Sequence, residues 1–164
     1  MKYTIVPIAE DHSEGFWIVL DSVARERKYL AWLEGPPLAT SRAFVLNNIQ
    51  EEFPHFVALD GNTVIGWCDI IPYRNRQVFA HSGILGMGVL SFYRGQGIGK
   101  KLMSATLEKA KVIGLTRVEL NVRENNTSAI AFYEKFGFVV EGLKTKALRI
   151  DNTYEDIICM GLLF

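Results

Sequence analysis

Three glycines alternate at positions 95, 97 and 99, between Arg94 and the pair Lys100-Lys101. The stretch lies where a predicted strand gives way to a predicted helix. At such a junction free backbone N–H groups and the positive end of the helix dipole converge, and glycine lets an anion approach the backbone closely. One glycine would indicate only a strand-to-helix turn, whereas three beside basic side chains favour a phosphate-binding turn.

Two nucleotide-binding patterns fit this stretch poorly. A mononucleotide loop requires G-x-x-x-x-G-K-[ST], but Arg94 stands where the first glycine belongs and Lys101 replaces the hydroxyl that binds magnesium. The dinucleotide fingerprint G-x-G-x-x-G is not met either, because the glycines are spaced G-x-G-x-G, although Glu124 does end the next predicted strand. A nucleotide-dependent oxidoreductase is therefore kept only as an alternative.

Two motifs resemble those of the GNAT superfamily of acyl-coenzyme A dependent N-acetyltransferases. Read as R-x-x-G-x-G, Arg94, Gly97 and Gly99 resemble the family's pyrophosphate loop, and GMGVLSFYRGQGIG (residues 86–99) resembles its fourth strand plus that loop. The segment NTSAIAFYEKFGF (residues 126–138) matches the family's N-x-x-A-x-x-x-Y-x-x-x-G-F pattern. The chain broadly resembles the branch of this superfamily that acetylates amino acids and other small amines, which includes phosphinothricin-type acetyltransferases.

The resemblance implies that acetyl-CoA binds as a cosubstrate and that no metal ion is needed. The backbone of Met87, Gly88 and Val89 would pair with the pantetheine arm, which suits a glycine-containing strand because glycine often marks the close approach of another backbone. Asn126 would contact the same arm, unless it serves only as a helix N-cap. The pyrophosphate would be held by the backbone amides of Gly95, Gln96, Gly97, Ile98, Gly99 and Lys100. Lys100 or Lys101 would meet the adenosine phosphate, or would simply be solvated.

Acetyl transfer to an amine requires a neutral nucleophile, a donor for the developing oxyanion and a proton for the departing thiolate. In the family's usual mechanism the amine attacks the thioester directly, in a ternary complex. The resemblance implies that the backbone N–H of Met87 or Val89 donates a hydrogen bond to the oxyanion, and that Tyr133 is the catalytic proton donor. The alternative for Tyr133 is a half-buried core aromatic.

The general base is the least defined of the catalytic groups. Many relatives carry a glutamate on the fourth or fifth strand, but residues 82–90 contain no carboxylate and the fifth-strand position is Asn121. His81 is the first candidate, because it enters the predicted fourth strand and histidine titrates near neutral pH. Asp69 on the third strand and Glu34 in the loop EGPP are the other candidates, although each is of a type that is usually solvated.

The acceptor amine is expected to meet the loop after the first helix and the last hairpin. The candidate substrate-binding residues are Trp32, Glu34 and Tyr154, with Tyr29 and Lys146 beside them. None of them distinguishes a small molecule such as an amino acid from a peptide or protein amine. A non-catalytic module that binds acyl-CoA is the alternative function.

These motifs need a framework of strands and helices. Apolar periodicity and turn residues predict the order β-α-α-β-β-β-α-β-α-β-β, which is an α/β chain with a mixed, mostly antiparallel sheet of about seven strands and about four helices. We expect one domain over residues 1–164. The first helix is predicted over residues 11–28, the second from Thr40 or Ser41, and the fourth strand over residues 78–90.

Composition limits the class of protein. Eighteen basic and 18 acidic residues cancel, which argues against binding to nucleic acid through the whole surface. Cys68 and Cys159 are not spaced for a disulfide framework or a zinc site. No segment reads as a secretory leader or reaches the ~20 apolar residues of a membrane span. We therefore expect a cytoplasmic protein without nucleic-acid or membrane partners, and the sequence allows a homodimer.

Overall fold

The computed structural model describes residues 2–164, in which a seven-stranded sheet separates two layers of helices. The helices are α1 (Ser13–Arg25), α2 (Leu38–Gln50), α3 (Ile98–Val112) and α4 (Thr127–Glu134). The strands are β1 (Thr4–Pro7), β2 (His55–Asp60), β3 (Thr63–Pro72), β4 (Ser82–Val89), β5 (Arg117–Arg123), β6 (Val139–Ile150) and β7 (Thr153–Leu163). The predicted fold class and order of elements are confirmed.

The strands lie in the order β1-β2-β3-β4-β5-β7-β6. Every neighbouring pair is antiparallel except β4 and β5, which are joined by the crossover helix α3 and run parallel. The pairing of β4 with β3 continues as far as Val89, whereas its pairing with β5 stops at Ile84. The sheet therefore opens between β4 and β5 beyond Ile84.

The core consists of two apolar clusters, one on each face of the sheet. On one face Leu102 and Met103 of α3 pack against β3 residues such as Cys68. On the other face Phe16 of α1 packs against Trp67. Because successive side chains of a strand point to opposite faces, the neighbours Trp67 and Cys68 belong to different clusters. Side chains from two different clusters therefore lie on the two sides of the opening beside β4.

The first helix is shorter than predicted. α1 begins at Ser13, after a 3-10 turn, and ends at Arg25. The expected cap by Asp11 does not form, because the Nδ1 atom of His12 accepts a hydrogen bond from the Ala9 N–H at 3.0 Å. Because α1 ends at Arg25, the loop that follows it is longer than predicted, and this loop reaches the opening in the sheet.

Two other predicted boundaries also move. α2 begins at Leu38 instead of Thr40 or Ser41, since the carbonyl of Pro37 already accepts the N–H of Thr40 at 2.9 Å. β4 begins at Ser82, because residues 77–79 form a 3-10 turn. Within residues 2–164 no helix has the length and apolar character needed to cross a membrane.

Candidate active site

A cavity of about 770 Å³ lies at the opening between β4 and β5. Its walls come from both faces of the sheet. Tyr29 and Leu30, in the loop after α1, line one side, and Phe132 and Tyr133 of α4 line the other. A ligand in this cavity would therefore contact β4 along its open edge and both helical layers.

Most of the residues predicted to bind a cofactor line this cavity. They are Met87, Gly88, Val89, Arg94, Gly95, Gly97, Ile98, Gly99, Lys100, Asn126 and Tyr133. Gln96 is not part of the lining, and its side-chain amide instead donates to the Phe92 carbonyl at 3.1 Å. The structure thus brings together two motifs that are about thirty residues apart in the sequence.

The glycine-rich turn leads directly into α3. Gly97 is the N-cap and has a φ of 81°, in the left-handed region that favours glycine. The N–H of Lys101 is the first in the helix to bond back, to the Gly97 carbonyl at 3.2 Å. The N–H groups of Ile98, Gly99 and Lys100 accordingly have no helical acceptor, and they meet the positive end of the helix dipole. This arrangement suits an anion such as a phosphate.

The two lysines of the turn differ in placement. Lys100 is exposed and lines the cavity. The Nζ of Lys101 lies 4.8 Å from the centre of the Tyr3 ring, in a cation–π contact outside the cavity lining. Lys100 is therefore the lysine that can approach a phosphate held at this turn.

Arg94 lines the cavity but directs most of its guanidinium into the protein. Its Nε donates to the Val89 carbonyl at 2.8 Å, and its two terminal nitrogens bond both carboxylate oxygens of Glu26, one of them at 2.8 Å. The guanidinium also lies 4.7 Å from the centre of the Tyr29 ring. Arg94 thereby ties the end of β4 to the loop after α1, a role that the R-x-x-G-x-G pattern did not predict.

We expect Arg94 and Glu26 to be strongly coupled. Charge-assisted hydrogen bonds in a fork geometry are the stronger ones, and both side chains are about one-third exposed or less. A double-mutant cycle with Arg94→Gln and Glu26→Gln should give a coupling free energy of about 1–3 kcal/mol in urea unfolding. Additive effects would show instead that the pair behaves as an ordinary surface ion pair.

The open edge of β4 contains Gly88, where any larger residue would clash with a neighbouring side chain. A Cβ at Gly88 would overlap the six-membered ring of Trp67, its partner on β3. Residues from Leu85 to Val89 have no strand partner on the β5 side. Their outward backbone groups can therefore pair with an extended ligand, as an added strand would.

Asn126 and Tyr133 both line the cavity, at the start of α4 and near its end. The Asn126 Oδ1 accepts the Ala129 N–H at 3.3 Å, so Asn126 is an N-cap, while its amide N–H groups have no partner within residues 2–164. The Tyr133 hydroxyl likewise makes no hydrogen bond within the described chain. Burial, with a smaller effect of the nearby Cys68, raises the pKa of Tyr133, so the phenol keeps its proton at neutral pH.

His81 lies far from the cavity. It is exposed, it precedes β4, and its carbonyl accepts the N–H groups of Thr116 and Arg117. At roughly 3.3 Å per residue along a strand, His81 is about 13 Å from Leu85, the nearest β4 residue of the lining. A general base must come within hydrogen-bond reach of the proton it takes, directly or through one water, and the structure does not bring His81 to the cavity.

The predicted substrate residues also lie outside the lining. Trp32 is 55% exposed, and Glu34 faces Arg25, with 3.4 Å between carboxylate and guanidinium. Tyr154, on β7, is 52% exposed and contacts Lys146, whose Nζ lies 5.2 Å from the ring centre. Of the residues considered on this side, only Tyr29 reaches the cavity.

Sequence analysis missed Arg123, which holds the loop after α1 against the sheet. This arginine, on β5, is 2% exposed. It donates to the carbonyl of Arg27 at 2.8 Å and to that of Leu30 at 2.5 Å. No charge run or motif marks this residue in the sequence, because the two carbonyls it holds are more than ninety residues away in the chain. Its third acceptor is the Glu155 carboxylate, at 3.3 Å.

The mixed sheet opens beside a glycine-rich helix start, and the gap contains a tyrosine hydroxyl without a hydrogen-bond partner within residues 2–164. This arrangement is that of the acyl-CoA N-acyltransferase fold class. Comparison with known proteins gives the same class. The chain belongs to the acetyltransferase (GNAT) family, whose family model matches residues 17–138. Among residues 2–164 no group of three or more His, Cys, Asp or Glu side chains is placed to hold a metal ion.

Curated relatives are acetyltransferases by name. N-alpha-acetyltransferase 30 of Schizosaccharomyces pombe is 35% identical over 83 residues, which are 51% of this chain and 55% of that protein. The match thus spans about half the length of that relative. N-alpha-acetyltransferase RimI of Mycobacterium tuberculosis is 31% identical over 118 residues, covering 71% of this chain and 69% of that protein. The predicted family is confirmed.

Solved structures share the fold across nearly the whole chain. Ribosomal-protein-alanine N-acetyltransferase of Brucella melitensis has a TM-score of 0.91 at 21% identity, covering 98% of this chain and 99% of that one. A phosphinothricin acetyltransferase of Sinorhizobium meliloti, solved in complex with acetyl-CoA, has a TM-score of 0.92 at 20% identity, covering 100% of this chain and 89% of that one.

Proposed function

We propose that this acetyltransferase moves the acetyl group of acetyl-CoA to a primary amine by direct attack within a ternary complex. One observation carries the proposal. A single cavity joins the start of α3, where N–H groups without helical acceptors suit an anion, the open edge of β4, and the hydroxyl of Tyr133, which has no hydrogen-bond partner within residues 2–164. These are the three surfaces that a long phosphorylated thioester needs at its pyrophosphate, its amide-containing arm and its sulfur.

The coenzyme would lie along β4. Its pyrophosphate would accept hydrogen bonds from the backbone amides of residues 95–100, and its pantetheine amides would pair with Met87, Gly88 and Val89. The amide N–H groups of Asn126 are free to bond the same arm. The cavity is large enough for such a ligand, since small-molecule sites commonly have about 300–1,000 Å³.

The chemistry requires the thioester carbonyl to lie at the open edge of β4. There the backbone N–H of Met87 or Val89 stabilises the negative charge that develops on oxygen when the amine attacks. The carbon–sulfur bond then breaks, and Tyr133 donates its proton to the sulfur. Its raised pKa keeps the phenol protonated until the thiolate, a stronger base than the intact thioester, begins to leave.

The acceptor would enter from the side of Tyr29 and Leu30. Support for an amine comes from the relatives, whose names include N-alpha-acetyltransferase, L-methionine sulfoximine/L-methionine sulfone acetyltransferase and, with the qualification probable, spermine N(1)-acetyltransferase. Both a small molecule and a peptide amine fit this set. The solvent-exposed loop after α1, with Trp32 at its surface, would contact the part of the acceptor that extends from the cavity.

A thiol-release assay tests the proposed function. Acetyl-CoA is incubated with the protein and with L-methionine sulfoximine, phosphinothricin, spermine or a peptide with a free N-terminal alanine, and acetylated product is identified by mass spectrometry. We expect release of coenzyme A thiol that depends on one of these amines. Tight coenzyme binding without amine-dependent release from any of them would favour a non-catalytic acyl-CoA binding module.

A further inference from the structure

On the face of the sheet toward α1 and α2, β4 has no side chains at the cavity. Its residues there are Gly86 and Gly88, which pair with Asp69 and Trp67 of β3. The Trp67 indole covers Gly88. The Asp69 carboxyl covers Gly86, where an added Cβ would lie 3.5 Å from Oδ1 and 3.8 Å from Oδ2. Gly86 lines the cavity, whereas Asp69 is not part of the lining, so the β3 carboxyl stands directly behind the wall that Gly86 forms.

Asp69 lies in apolar surroundings. It is 7% exposed, and no cation within residues 2–164 contributes to its pKa. Desolvation by burial raises that pKa to about 7, and the neighbouring Trp67 side chain opposes part of the change. This cost of ionisation would select against a buried aspartate that had only a packing role.

The titratable groups next to Asp69 are both neutral. His55 faces it from β2, and burial lowers the pKa of this imidazole to about 3. The Nδ1 of His55 lies 3.0 Å from the Nδ2 of Asn48, and the ring of Phe16 from α1 packs on it at 5.0 Å. Cys68 points to the opposite face, where burial raises its thiol pKa. β4 presents only glycine to Asp69, so the carboxyl can exchange its proton near neutral pH without a counter-charge.

Asp69 and Tyr133 lie on opposite faces of the sheet. Tyr133 packs against the cluster that contains α3, whereas Asp69 stands beside His55 and Trp67 on the side of α1 and α2. The cavity connects the two faces through the gap between β4 and β5. A thioester held along β4 would therefore have a proton donor on its sulfur side and a carboxylate on the side from which the amine enters.

We propose that Asp69 is the general base, which takes a proton from the acceptor ammonium through one water molecule at the wall formed by Gly86. The proposal rests on the proposed function. The freed amine forms the carbon–nitrogen bond, the carbon–sulfur bond breaks, and Tyr133 gives its proton to sulfur. The second proton lost by nitrogen replaces the one that the phenol donated, and Asp69 returns its own proton to solvent.

Asp69→Asn keeps the shape of the side chain and removes the base. The substrate is whichever amine of the thiol-release assay the wild type acetylates fastest. With this amine, kcat/KM at pH 7 should fall by roughly 10²-fold or more. The wild-type kcat/KM should rise with pH through about 7 as Asp69 ionises. In Asp69→Asn this rise should be absent, and the loss should narrow as the pH approaches the pKa of the amine itself. A loss of less than about threefold with an unchanged pH profile would overturn the proposal.

Four further measurements separate an effect on catalysis from an effect on folding. Because folding raises the Asp69 pKa from 3.8 to about 7, its ionisation destabilises the fold as pH rises through that range, so Asp69→Asn should melt at or above the wild-type temperature at pH 8. Acetyl-CoA affinity should be unchanged. Asp11→Asn, an exposed aspartate before α1, is the matched control and should retain wild-type kinetics. A large loss in His81→Ala in place of Asp69→Asn would assign the base to His81 and overturn the proposal.

A readout without turnover keeps this inference distinct from the proposed function. Carbon-13 NMR of the labelled carboxyl, assigned by its loss in Asp69→Asn, should show a titration midpoint near 7 in the free protein. Gly86→Ala places a methyl group 3.5 Å from Oδ1, an ordinary contact that should bury the carboxyl further and move the midpoint upward. If the wild type acetylates none of the amines, the proposed function fails while the NMR midpoint still tests Asp69. A midpoint near 4 would overturn the assignment of Asp69 as the base.

Discussion

Gly97→Glu should abolish the binding of acetyl-CoA in isothermal titration calorimetry. Gly97 is the N-cap of α3 and has a φ of 81°, beside the N–H groups of the first helical turn that have no helical acceptor. Glutamate at this position adds a side chain and a negative charge where the pyrophosphate would lie, and its charge would satisfy the same N–H groups and the helix dipole. The substitution therefore replaces the ligand's charge with one from the protein.

The backbone cost of this change needs a matched control. A non-glycine residue in the left-handed region costs about 1–2 kcal/mol, whatever its position. Gly114, just after α3, has a φ of 87° and open space where a Cβ would lie, so Gly114→Glu carries a similar cost far from the turn. It should bind acetyl-CoA as the wild type does. Unchanged affinity in a folded Gly97→Glu protein would show that the turn does not hold the coenzyme.

Tyr133→Phe should lower kcat by about 10²-fold or more, the scale of a lost general acid. The phenyl ring keeps its packing against Phe132 and Phe138, at 5.6 and 5.9 Å between ring centres, so folding and coenzyme affinity should change little. Only the hydroxyl that makes no hydrogen bond within residues 2–164 is lost. Thioesters whose thiols are more acidic need less help from a proton donor, and their rates should fall less.

Tyr73→Phe is the control for removing a tyrosine hydroxyl. The Tyr73 hydroxyl donates to the Glu119 carboxylate at 2.6 Å, outside the cavity lining. This variant should keep wild-type turnover. The contrary outcome is that Tyr133→Phe lowers kcat equally with good and poor leaving groups, or changes only KM. Tyr133 would then position the substrate or pack the core, and another group would supply the proton.

Local pattern predicted the framework of the site well. The glycine turn before α3 and the pair Asn126 and Tyr133 on α4 were identified from spacing and family motifs, and both line the cavity. Such features depend on the backbone conformation of a few neighbouring residues, which sequence encodes directly. Boundaries were less accurate where a cap came from an unexpected group, as with His12 before α1.

The arginine of the loop motif shows where pattern alone was insufficient. The sequence placed Arg94 beside a phosphate, but in the fold its guanidinium meets Glu26, which is 68 residues away in the chain. The same limit explains why Arg123 was missed and why the sequence could not show that Trp32, Glu34 and Tyr154 lie outside the cavity lining. A long side chain can reach several partners, and the choice depends on which loop the fold brings near it.

The amino-acid sequence by itself determined the order of the elements, the family and the turn at Gly97, because periodicity, capping and positive φ are local properties. Only the tertiary structure decided which candidate base stands behind the cavity wall. His81 and Asp69 were both candidates in the sequence, yet the register between β3 and β4 sets Asp69 over Gly86 and leaves His81 at the other end of the strand. Strand register acts between residues that are distant in the chain, and a shift of one residue would turn the Asp69 carboxyl to the opposite face.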